Sequence, residues 1–240
     1  MPRLRRVGHK GADDLAPGNT LASFDAALAA GVDMIEFDVL AADREDPAGS
    51  ELILAHDYRD AARRVPPTLE DGLAHLASAP FAGIDLDVDL KLPGYEERVV
   101  QALRDRDLVG RSLISSQYTR SLAAVRAVEP ELRLGWSVPR ASRDYTKSPI
   151  YAVPAYVGLR GFRATLPRRA ARGLQENRFD AVMAHWRVVS PALVKAVKRA
   201  GGELYVWTVD EIERIKRLEA IGVTGVITND PRLFALATSD

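Results

Sequence analysis

The chemistry-bearing residues of this chain sit in a few short stretches. His9-Lys10 places an imidazole beside an ammonium. In Met34–Val39, Glu36 and Asp38 are two residues apart, so on an extended strand both carboxylates point to one side. They repel unless something positive lies between them, and hard divalent cations prefer such oxygens. Asp85, Asp87, Asp89 and Lys91 alternate in the same way further on, and a second imidazole, His56, closes the apolar run Leu52–Ala55. Three carboxylates around one ion favour Mg²⁺ or Ca²⁺ over softer metals. Asp85, Asp87 and Asp89 cannot all be ligands, and Asp89, nearest the C-terminal end of the strand and two before Lys91, is the best third ligand beside Glu36 and Asp38. Two imidazoles can serve as general base and general acid near neutral pH, which assigns His9 and His56, unless each is an ordinary capping or surface histidine. Lys10 and Lys91 are point charges suited to a phosphate. Trp207 offers an aromatic face to an apolar or quaternary-ammonium group, or simply packs. His185 either lines a pocket or packs beside Trp186. His75 lies within a helical pattern and reads as structural.

These residues recur at the ends of strand-like runs. Strands are expected at Leu4–Gly8, Met34–Leu40, Gly83–Leu90, Ser112–Ser115, Leu132–Val138, Ala181–Ala184, Glu203–Thr208 and Gly225–Thr228, alternating with helical patterns. The first helix starts at Asn19 or Thr20 as N-cap, and Ser190-Pro191 and Asp230-Pro231 are further start signals. The alternation implies a parallel α/β architecture. The chain's 240 residues are close to the roughly 250 of one (β/α)₈ barrel. The expected fold is therefore a single TIM-barrel domain over residues 1–240, with its site at the C-terminal strand ends. Two segments break the pattern. Residues 41–67 read as a hairpin returning across the barrel mouth. Residues 139–167 carry Tyr145, Tyr151, Tyr156 and Phe162 and read as a lid or as extra helix.

Composition narrows the function classes. Lys plus Arg and Asp plus Glu number 33 each, so the net charge is zero. That argues against a general nucleic-acid binder while leaving room for a local phosphate pocket. There is no cysteine, which excludes disulfides, thiolate metal sites and a cysteine nucleophile. No apolar run approaches the roughly 18 residues of a membrane helix. The first strand begins almost at once, so no signal peptide is expected and a cytoplasmic protein without stable membrane insertion is the default reading.

The stretch from His9 to Val39, with LILAHD, DLK, VWTVD and GVITNDP, resembles the glycerophosphodiester phosphodiesterases, in order, through most of the chain. The resemblance implies a TIM barrel that hydrolyses glycerophosphodiesters to an alcohol and glycerol 3-phosphate, with one divalent cation and two histidines. It assigns those histidines to His9 and His56, the metal ligands to Glu36, Asp38 and Asp89, and a following lysine to Lys91. It also implies attack by a neighbouring glycerol hydroxyl, giving a cyclic phosphate that water opens. Three positions depart from the family pattern. Lys10 stands where arginine is usual, Gly18 where glutamate is usual, and Asp89 where glutamate is usual. Asp89 followed by Leu90 and Lys91 is also similar to the sphingomyelinase D-type phospholipases, which release the alcohol and leave a cyclic phosphate. A lipid substrate of that kind would need an apolar mouth, for which residues 139–167 are the candidate. A non-catalytic phosphodiester-binding barrel is the third reading, prompted by Lys10 and Gly18.

Overall fold

The structure is a computed structural model and describes residues 3–140 and 152–237. Its strands are β1 (Arg5–Gly8), β2 (Met34–Ala41), β3 (Leu52–Leu54), β4 (Asp85–Leu90), β5 (Ser112–Ser116), β6 (Arg133–Val138), β7 (Ala181–His185), β8 (Glu203–Trp207) and β9 (Gly225–Thr228). All but β3 pair in parallel, and β1 pairs with both β2 and β9, so eight strands close into a barrel. The helices are α1 (Leu21–Ala29), α2 (Tyr58–Ala61), α3 (Leu69–Leu76), α4 (Glu96–Arg104), α5 (Thr119–Val128), α6 (Ala152–Gln175), α7 (Pro191–Arg199), α8 (Ile212–Ile221) and α9 (Leu233–Ala237). This is the expected TIM barrel, with strand limits within two residues of those read from the sequence.

The barrel interior is layered. At the N-terminal end Arg5 pairs with Asp85 and Arg133 with Glu203, and both arginines reach the Tyr205 hydroxyl. Asp85 is thereby occupied at the bottom of the barrel, far from any ligand role. A middle layer of Val7, Met34, Leu113, Met183, Tyr205 and Ile227 is buried. Gly135 belongs there because a side chain would collide with Leu113 and Met183. The outer core lies between the strands and the helices. The upper interior is polar and forms the site.

The hairpin after β2 exists as expected. β3 runs antiparallel to β2, with Val39 opposite Leu54 and Ala41 opposite Leu52. It carries one element the sequence pattern does not announce, the single-turn α2, which Asp57 caps by accepting from the Arg59 and Asp60 amides. In the second excursion, residues from 152 onward belong to α6, so that part is helix. Tyr145 and Tyr151 lie outside the described residues.

Candidate active site

The register of β2 against β4 decides the core of the site. Glu36 lies opposite Asp87 and Asp38 opposite Asp89, so two alternating acidic strands bring four carboxyl groups into one patch. Glu36, Asp38 and Asp89 each offer an oxygen within 4.8 Å of the other two, and they are the group among the described residues able to hold a metal ion. Lys91 Nζ lies 2.5 Å from both Asp38 Oδ1 and Asp89 Oδ2. Asp87, one layer down, lines the cavity but stands outside this trio.

The electrostatics follow from burial. Asp38 is raised by burial, but the Lys91 ammonium outweighs this and holds it well below the ordinary carboxylate range. Burial pushes Glu36 well above its ordinary value, and Asp38 adds to the shift. Burial likewise carries Asp87 up to about 8. A divalent cation fits this donor set: three hard oxygens, crowded and desolvated, with fewer positive charges than the carboxyls can use.

The loop after β1 holds the first imidazole. His9 Nδ1 is 2.5 Å from Asn229 Oδ1. Asn229 Nδ2 in turn donates to Asp210 Oδ2 at 2.9 Å, and Asp210 Oδ1 accepts from the Asn229 amide and the Thr228 hydroxyl. Because a carboxylate only accepts, the Asn229 amide must turn its oxygen to His9. Nδ1 therefore carries the proton and Nε2 has the lone pair. Nε2 lies 3.9 Å from Glu36 Oε2. Burial lowers the His9 pKa to about 4, with Lys10 contributing. His56 stands at the end of β3, half-exposed, with Nδ1 at 3.4 Å from Asp57.

His9, His56, Glu36, Asp89, Lys91 and Trp207 line one cavity of about 240 Å³. Ser115, Gln117, Ser137 and Thr208, from the ends of β5, β6 and β8, complete its wall. Trp207 is fixed by its indole N–H on the Met183 carbonyl at 2.9 Å. Lys10 is not among the lining residues. Its amide donates to Glu36 Oε2 at 2.8 Å and its ammonium meets Asp13 at 2.9 Å. His185 packs between Trp186 and Trp207, with centroids at 5.5 and 5.1 Å, and His75 bonds Asp25 on the outside.

Asn19, Asp13 and Asp210 are positioning residues that reading by motif passes over. Thr20 caps α1, which frees Asn19. Its left-handed backbone, φ 57, turns its amide onto Asp38, donating to Oδ2 at 2.7 Å and accepting from the Asp38 N–H at 2.9 Å. The choice between Asn19 and Thr20 as cap thus separates a structural role from a site role. Gly18 leaves room for the Asp13 carboxylate, which accepts from the Gly18 amide at 2.9 Å as well as from Lys10. Burial raises Asp13, but Lys10 pulls it below its ordinary value.

Fold and site together define a (β/α)₈ barrel with two histidines and the carboxyls of Glu36 and Asp89 on one cavity, and with Asp38 buried beside them. The model of the glycerophosphoryl diester phosphodiesterase family matches residues 9–43 and 59–233, and the chain belongs to that phosphodiester-cleaving family. The unmatched stretch between the two blocks contains His56 and β3. A glycerophosphodiester phosphodiesterase of Caldanaerobacter subterraneus subsp. tengcongensis is 24% identical over 268 residues, covering 94% of this chain and 93% of that protein. The structure of a glycerophosphodiester phosphodiesterase from Parabacteroides distasonis superposes with a TM-score of 0.73 at 20% identity, covering 99% of both chains. That of an Oleispira antarctica phosphodiesterase in complex with the product sn-glycerol-3-phosphate gives 0.71 at 19% identity, covering 98% and 97%. The likeness to these two structures is one of fold.

Proposed function

We propose that the chain, acting as a single catalytic domain, hydrolyses a small glycerophosphodiester to an alcohol and glycerol 3-phosphate, with His9 and His56 as acid–base pair. The observation that carries this reading is the His9–Asn229–Asp210 chain, which leaves the Nε2 lone pair free beside Glu36. Glu36, Asp38 and Asp89 would hold one divalent cation, Mg²⁺ or Ca²⁺, which when bound supplies charge for a phosphate oxygen. Lys91, next to two of these carboxylates, adds positive charge for the phosphoryl oxygens, and Lys10 does so from behind Glu36. His9 Nε2, whose lone pair the Asn229 hydrogen bond on Nδ1 leaves free, accepts the proton of the attacking hydroxyl. His56, on the solvent side, gives a proton to the departing alkoxide. Ser115 and Gln117 are placed to orient the substrate by hydrogen bonds, and Trp207 walls the alcohol side. The product bound to the Oleispira antarctica relative supports glycerol 3-phosphate as the product here.

The test is ³¹P NMR of the purified chain with glycerophosphocholine, with added Mg²⁺ or Ca²⁺ and with chelator. A metal-dependent glycerol 3-phosphate signal is expected. A cyclic phosphate that accumulates would replace hydrolase by lyase. No turnover of any glycerophosphodiester under these conditions would leave a binding barrel.

A further inference from the structure

Outside the catalytic cavity lies a groove of about 670 Å³ between α6, the turn after β7 and α8. Its floor is apolar, with Leu159, Leu218 and Ile221. Its rim carries five arginines, Arg160, Arg163, Arg187, Arg214 and Arg217, and no acidic residue is among the described residues that line it. Trp186 forms one wall, with the Arg214 guanidinium 3.7 Å and the Arg187 guanidinium 4.9 Å from its ring centroid. Arg214 also reaches Glu211 at 2.9 Å, and Arg160, Arg163 and Arg217 keep the rim cationic. In a chain of zero net charge, this is a local concentration. Trp186 stacks on His185, and His185 meets Trp207 of the catalytic cavity, so the groove opens beside the barrel mouth.

Helix α6 extends the same surface. It has 24 residues, against 9 or 10 in α1, α4, α5, α7 and α8. At 1.5 Å per residue that is about 36 Å. Its second half packs on the barrel through Leu166, Ala170 and Leu174, whereas no residue from 158 to 165 is buried. In the first half Leu159 and Phe162 still rest half-buried against the barrel core, while Arg160 and Arg163 stay exposed at the groove. The helix contains no acidic residue; of its arginines, Arg169 lies over the Trp136 and Phe162 rings and Arg172 pairs with Glu176, while Arg160, Arg163 and Arg168 are exposed.

We propose that the groove, with Arg160 and Arg163 of α6 on its rim, docks on an anionic phospholipid surface and holds the chain there with its catalytic mouth close by. An apolar floor rimmed by guanidinium groups matches the acyl boundary and the lipid phosphates together. Trp186, apolar in body with a polar N–H, suits that boundary. A soluble polyanion would engage the arginines and leave the floor wet. The described residues contain no helix long and apolar enough to cross a membrane, so the association is peripheral and salt-sensitive.

The test is co-sedimentation of the full chain with phosphatidylcholine vesicles, with and without phosphatidylglycerol, at low and high salt. Binding is expected to the anionic vesicles at low salt only. Arg160→Glu with Arg163→Glu should weaken it by about 30-fold or more, since each arginine near an anionic surface contributes about fivefold. Arg160→Lys with Arg163→Lys should retain most of it. Both pairs should turn over a soluble phosphodiester as the unaltered chain does, because neither residue lines the catalytic cavity. No binding to anionic vesicles would overturn the proposal. So would equal binding to both vesicle types, or unchanged binding by the glutamate pair. Displacement from the vesicles by an equal charge of single-stranded DNA would also overturn it, marking a general polyanion surface instead.

Discussion

Replacing Asp210 by Asn removes no group from the catalytic cavity, yet it should disable His9. The Asp210 carboxylate accepts three hydrogen bonds, from the Thr228 hydroxyl, the Asn229 amide and Asn229 Nδ2. An amide at position 210 has one accepting end. If its oxygen stays on the backbone side, its NH₂ confronts Asn229 Nδ2, and the Asn229 amide must flip. Its NH₂ then faces His9 Nδ1, which holds the proton on Nε2 and removes the base. If the new amide turns the other way, its NH₂ confronts the Asn229 N–H, leaving a donor unpaired at a cost of about 1–3 kcal/mol. The productive tautomer is disfavoured by that amount, so kcat should fall by about fivefold to about 150-fold, with KM little changed. The exchange Asp210→Asn with Asn229→Asp rebuilds the chain, since a carboxylate at 229 accepts from both His9 Nδ1 and the new amide. Steady-state kinetics give the kcat and KM split, and ¹⁵N NMR of the His9 ring reads the tautomer directly. A single variant that is folded and within twofold of the unaltered kcat would refute the reasoning. So would a double exchange no better than the single.

Other outcomes follow from the same geometry. Asn19→Gly keeps the left-handed backbone but strips Asp38 of two hydrogen bonds, one to a charged group, and should lower stability in urea by about 2–4 kcal/mol; Asn19→Ala should cost about 1–2 kcal/mol more. Gly18→Ala places a methyl group against the Asp13 carboxylate and the Lys10 side chain, and should raise KM several-fold while leaving the far-ultraviolet spectrum intact. Asp33 accepts from the Arg6 amide, Nε and Nη2 at 2.9, 3.0 and 2.8 Å; burial raises its pKa, but these bonds lower it below the ordinary value. Its contribution is therefore present above the unfolded pKa and lost as pH falls through the folded one. Asp33→Asn should lower stability by about 1–2 kcal/mol at neutral pH, and the difference in Tm should close in strong acid.

How far the sequence reaches can be seen residue by residue. The alternation of strand-like and helical patterns specified the barrel, because side-chain periods of two and 3.6 are local properties that each element carries with it. The two-residue spacing of Glu36 and Asp38, and of Asp87 and Asp89, specified shared faces for the same reason. The start of α2 was written only in Asp57, a single capping residue in a segment read as hairpin. What the sequence left open depends on contacts between distant segments. Asp89 stands out among the three strand acids only by its place nearest the C-terminal end, and what Asp85 and Asp87 do is open until the register with β2 sets Asp89 beside Asp38 and Asp87 beside Glu36, and Arg5 takes Asp85. Asn19 and Thr20 are equally good caps until the loop geometry gives the cap to Thr20 and Asp38 to Asn19. Asp210 and Asn229 lie on different strand ends, and only barrel closure between β8, β9 and β1 lines them up behind His9. The arginines of α6 and α8 are scattered charges in the chain, balanced overall by acids elsewhere. Tertiary packing gathers them around one apolar groove, because helix neighbours in a barrel are set by the order of strands in the closed sheet and not by proximity in sequence.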